Sequence, residues 1–151
     1  MGFWDKFRTF FFWGLDFLRT PEVLKVPIVQ VMALVSLASL VVCVMRWQQT
    51  KKYWKGSNWL VLTQLLFYPL IIAVGAGFTA HTRTSLSTLR PNQTGERLLD
   101  VLAVASLATA CFWVCRMKGA RWLTLSLVLF QEIVLLGAMF VAGMAVSGDW
   151  I

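Results

Sequence analysis

Residues 122–146, WLTLSLVLFQEIVLLGAMFVAGMAV, form a run of 25 residues with a single ionisable side chain, Glu132. An α-helix rises about 1.5 Å per residue, so this run can cross a hydrocarbon layer of about 30 Å. Backbone polar groups surrounded by lipid must bond within their own segment, which makes a helix the expected form. Three more runs of the same kind lie at about 26–45, 59–80 and 98–115. The expected fold is therefore all-α: a polytopic four-helix membrane bundle occupying residues 21–151.

Composition agrees with this reading. Hydrophobic residues make up 58% of the 151-residue chain and charged residues 14%, with a mean hydropathy of +0.70. A soluble domain carries about 25% charged residues. The net charge of +7 comes from Lys and Arg placed between the apolar runs, where headgroups attract them. No basic stripe interleaves with aromatics, so nucleic acid is not an expected partner. The expected partners are the lipid bilayer and either further copies of the chain or other membrane subunits.

Ahead of the spans, residues 1–20 read as an amphipathic helix. Phe3, Trp4, Phe7, Phe10, Phe11, Leu15, Phe17 and Leu18 gather on one side at helical spacing, with Asp5, Arg8, Thr9, Asp16 and Arg19 opposite. It is too short and too charged to span, and an aromatic face with a charged back suits a helix lying in the interface. Asp5 and Asp16 also disagree with targeting segments, and Lys6 disagrees with a myristoylation motif. Phe3, Trp4, Phe7 and Phe11 are the expected anchors here, as are Trp59 and Trp122 at span ends. Thr20-Pro21-Glu22 reads as a helix start, with Pro27 bending the first span's opening.

The halves of the bundle echo each other. Ala33-Leu-Val-Ser36-Leu37-Ala38-Ser39 parallels Ala103-Val-Ala-Ser106-Leu107-Ala108-Thr109, and Trp59-Leu60-x-Leu62-Thr63 parallels Trp122-Leu123-x-Leu125-Ser126. Two hairpins of the same direction, a 2+2 parallel repeat, are the expected arrangement. In this alignment Pro69 falls opposite Glu132. Loop charges divide evenly: Arg46, Lys51, Lys52, Lys55, Arg116, Lys118 and Arg121 on one side, Lys6, Arg8, Arg19, Lys25, Arg83, Arg90 and Arg97 on the other. Lys6 and Arg8 lie far from a span, so the count leans towards an outer N-terminus. The sequon Asn92-Gln93-Thr94, a glycosylation candidate, agrees with that lean.

Glu132 is the residue with most to say about function. A charged carboxylate at that depth is costly, so the group is expected to be neutral, hydrogen-bonded or facing a wet cavity. Gln131 lies beside it, and Tyr68, Ser36 and Ser106 lie at similar depth. Together they make a candidate intramembrane polar or ion site, with a neutral Glu bonded to a neighbouring hydroxyl as the structural reading. Ala73 and Gly77, Ala138 and Ala142, and Gly143 with Ser147 repeat at four-residue spacing, as closely packed helices require.

No catalytic motif, phosphate loop, metal-ligand set or cofactor motif stands in the chain. Cys43, Cys111 and Cys115 read as small apolar packing residues, and the lone His81 as an interfacial residue.

Two stretches, FLRTPEVLKVPIVQVMALVSLASLVV and RLLDVLAVASLATACFW, resemble the openings of the first and third spans in MARVEL-type tetraspan proteins. The resemblance implies four spans, a role in membrane organisation and cytosolic termini, the last against the charge count. It extends neither to the aromatic N-terminal helix nor to the basic first loop. The expected function is a non-enzymatic tetraspan protein of membrane organisation or a self-assembling complex subunit. The alternative is a small oligomeric transporter or channel with a midplane site near Glu132.

Overall fold

The computed structural model describes residues 2–17, 19–21, 25–53, 56–79 and 92–148. His81, Trp54, Trp150, Glu22 and most of the middle loop lie outside them, as does the side chain of Trp59. Every element among the described residues is helical: α1 (Phe3–Phe17), α2 (Pro27–Met45), α3 (Trp47–Tyr53), a 3-10 segment (Gly56–Leu66) that runs into α4 (Phe67–Gly77), α5 (Gln93–Arg116) and α6 (Arg121–Ser147). Four helices are long and apolar enough to cross a membrane: Pro27–Met45, Leu60–Gly77, Gln93–Arg116 and Arg121–Ser147. By length and composition they mark an integral membrane protein.

Local chemistry sets the ends. Pro27 is the first residue of α2, where its missing N–H costs nothing, so it starts the helix instead of bending it. The Thr20 hydroxyl donates to the Phe17 carbonyl beyond the end of α1, and Pro21 directly after it is helical, at the expected helix start. Asn92 caps α5, its side-chain oxygen accepting from Gly95 N–H at 3.2 Å. Gly148 ends α6 at φ 83°, the left-handed conformation that glycine adopts most readily.

The second span changes helix type part-way. Proline has no N–H to donate backwards, and Pro69 stands at the third residue of α4, directly after the 3-10 segment. Burial follows the change: Val61 and Gln64 point inward three residues apart, as 3-10 winding dictates, and Tyr68, Ile71, Ile72, Gly75 and Ala76 follow the α period.

α6 is the centre of the bundle. It packs against α1, α2, α4, α5 and the 3-10 segment, and half of its apolar window is buried, against 17% for α2 and 17% for α5. α2 and α5 each bury one stripe: Val29, Ser39 and Cys43 on α2, and Gly95, Leu99, Ser106 and Ala110 on α5. Their remaining faces are exposed and, apart from the charged ends of α5, mainly apolar.

α1 packs lengthwise on the bundle. Lys6 Nζ reaches Thr79 just beyond the end of α4, while Phe11 and Gly14 lie on Tyr68 near its start, so α1 runs antiparallel to α4. Phe17 stacks on Phe140 at a centroid distance of 4.3 Å. Along α6, α1 covers the half containing Ala138 and Phe140, and α2 covers the half containing Ser126.

Candidate functional site

Two apolar clusters make up the core. The larger unites α1, α4, α5 and α6 and includes Phe10, Tyr68, Ile71, Leu99, Leu135, Ala138 and Ala142. The smaller consists of Val61, Ala110 and Val128. Between them each of three spans contributes a polar side chain. On the second span Gln64 lies between Val61 and Tyr68, on α5 Ser106 lies between Ala110 and Leu99, and on α6 Glu132 lies between Val128 and Leu135.

Contact joins this layer. Gln64 Nε2 donates to Glu132 Oε1, and the Ser106 hydroxyl lies beside the Glu132 carboxyl. Ser106 Oγ lies 2.9 Å from the Ala103 carbonyl of its own helix. All three residues are buried. Gln64 reaches Glu132 because both sit at equal depth along their helices. It lies eight residues past Gly56 at about 2.0 Å per residue, whereas Glu132 lies eleven past Arg121 at about 1.5 Å. Each is then about 16 Å from the start of its helix.

The expected polar group is thus only partly assembled. Ser106 meets Glu132. Ser36 instead pairs with Ser126, 3.0 Å from its carbonyl and 3.2 Å from its hydroxyl, tying α2 to α6. Tyr68 turns to α1, donating to the Phe11 carbonyl at 2.6 Å with its ring edge-on to Phe11. Gln131 is buried, and its amide oxygen and nitrogen find no hydrogen-bond partner among the described residues. Gln64, absent from the sequence-based group, is the principal partner of Glu132, and its own oxygen is likewise unpartnered. A polar residue inside an apolar run was the available signal.

The small-residue positions divide in the same way. Ala138 and Ala142 are fully buried on α6. The close approach to α4 is made by Gly75, where an added Cβ would lie 2.8 Å from both Cα and Cβ of Ala142. Gly77 is exposed, Ala73 is half-buried, and a Cβ on Gly143 would meet nothing within 4 Å. Among the anchors, Trp4 and Trp122 are exposed, as is Phe3, while Phe7 and Phe11 pack on the larger cluster. Asn92 is partly buried, its backbone N–H donating to the Val146 carbonyl at 3.0 Å.

Among the described residues no group of three His, Cys, Asp or Glu could hold a metal ion. Chemically, the layer offers one carboxyl group, unpartnered amide atoms and a hydroxyl inside an apolar bundle. Such groups can lock three helices in register, or hold a proton or a small polar guest. No protein-family model, curated protein or solved structure matches the chain.

Proposed function

We propose that this is a non-enzymatic tetraspan protein that packs laterally, with copies of itself or with other membrane subunits, and so organises the membrane around it. The observation that carries this reading is the unequal burial of the spans. α6 is enclosed by its neighbours, while α2 and α5 each commit one stripe to the bundle and leave a broad apolar face outward. The Glu132 carboxyl supports it too, being hydrogen-bonded by Gln64 as a lock between the second span and α6. The role matches the one implied by the resemblance to MARVEL-type proteins.

Two finer features belong to the same proposal. α1 serves as an amphipathic helix packed along α4 and α6, its aromatic face on the bundle and Trp4, Asp5, Arg8, Phe12 and Trp13 outward, rather than one lying flat in the interface. The halves descend from one duplicated hairpin, a reading supported by the matched segments 33–39 with 103–109 and 59–63 with 122–126.

Crosslinking in native membranes, followed by purification in mild detergent, tests the main reading. The expected result is a crosslinked oligomer or a second chain recovered in fixed ratio. A strict monomer with no crosslinked partner overturns it. The unpartnered amide atoms of Gln64 and Gln131 favour a second reading, a small oligomeric transporter or channel with its site near Glu132. Ion flux into liposomes that Glu132→Gln abolishes without changing oligomer size would support this reading; flux unchanged by the substitution removes it.

A further inference from the structure

Where α2 and α5 end and α6 begins, a cavity of about 620 Å³ opens between the α2–α3 junction and the α5–α6 turn. Arg46, Gln49, Lys118 and Arg121 form its polar wall, and Trp122 and Leu125 form part of its apolar wall. Its size falls within the range of about 300–1,000 Å³ usual for ligand sites.

The electrostatics of this cavity are one-sided. Residues 25–53 and 101–131 contain no Asp or Glu, and the one ion pair among the described residues, Arg19–Asp16, is at the end of α1. Helix ends account for some of the positive charge: Arg46 is the C-cap of α2, where the helix dipole favours a cation. They do not account for Arg121. It is the first residue of α6, at the positive end of a 27-residue helix with no side-chain cap and no acid in its first turn. Three cations and an uncapped helix start therefore converge on one cavity, and each is relieved by an anion there.

We propose that this cavity binds the phosphate of an anionic phospholipid, with Arg46 and Arg121 as its guanidinium arms and Lys118 as a third charge. Guanidinium groups grip phosphate oxygens in pairs, and Gln49 adds a neutral amide to the same wall. The choice of a lipid over free phosphate follows from the other wall. Trp122 and Leu125 continue the apolar surface of α6, which suits a glycerol backbone and the upper acyl chain and would be idle against an inorganic ion.

The test uses the full chain in detergent micelles, titrated with dioleoyl-phosphatidylglycerol or dioleoyl-phosphatidylcholine, with bound lipid counted by native mass spectrometry. The expected result is phosphatidylglycerol bound roughly ten-fold or more tightly than phosphatidylcholine. Arg46→Gln with Arg121→Gln removes that preference, while Arg8→Gln, a cation on α1, leaves it intact. Millimolar inorganic phosphate and glycerol 3-phosphate fail to displace the lipid. Should the double variant not fold, Lys118→Gln on the exposed turn carries the same test with a several-fold loss. Equal binding of the two lipids, or a preference that survives loss of these cations, overturns the proposal. Displacement by either soluble phosphate at matching affinity overturns the lipid assignment.

Discussion

A carboxyl group surrounded by hydrocarbon is stable only when it keeps its proton or its oxygens find donors. Glu132 has found the Gln64 carboxamide on the second span, with the Ser106 hydroxyl of α5 beside it. What the layer needs at this position is an acceptor aimed at Gln64 Nε2, and a carboxamide supplies one as well as a carboxyl does. Glu132→Gln is accordingly expected to unfold within about 1 kcal/mol of the parent chain in a denaturant titration in detergent. Glu132→Leu leaves the Gln64 amide buried with neither atom partnered and is expected to cost about 1–3 kcal/mol in the same titration. Glu132 was legible in the sequence because an acid in an apolar run has few uses. Gln64 was not, since its depth depends on 3-10 rather than α winding, and Tyr68 was misplaced because the destination of its hydroxyl lies on α1.

Among the elements, the second span shows how packing overrides spacing. Small residues four apart identify faces where helices can approach, but not which of those faces meets another helix. Gly75 does: its hydrogen faces the backbone of Ala142, so Gly75→Val must separate α4 from α6 or distort one of them. About 1–3 kcal/mol of destabilisation is expected, together with loss of Glu132–Gln64 register. Gly143 stands on α6 at the spacing the sequence favoured, yet an added methyl meets no atom there. Gly143→Ala is expected to be neutral or slightly stabilising, since alanine has the better helix propensity. Thermal unfolding of the two variants side by side checks the contrast. The existence of the spans was readable because length and hydropathy decide it, and the helix-type switch had only Pro69 as its signal.

For the whole molecule, the sequence yields the number of spans and their limits to within a few residues, yet all four apolar runs look much alike. That α6 is the hub depends on how the helices meet, which only the assembled bundle records. Cysteine chemistry offers a measurement. Cys43 is buried in the α2 stripe, and Cys115 is exposed on α5. A chain ending at residue 120 is expected to expose Cys43 to maleimide in membranes while Cys115 reacts as before; protection of Cys43 in that chain would mean that α2 has another support. The position of the hub has a consequence for biosynthesis. α6 is the last of these helices to be made, so α2 enters the bilayer before the surface it packs on exists. Until translation delivers that helix, Gln64 and Ser106 have no carboxyl to meet, and the nascent protein holds half-paired polar groups in lipid. Its assembly is thus gated by synthesis of α6, and the interval before that helix emerges is when membrane chaperones and quality-control proteases have the most to recognise.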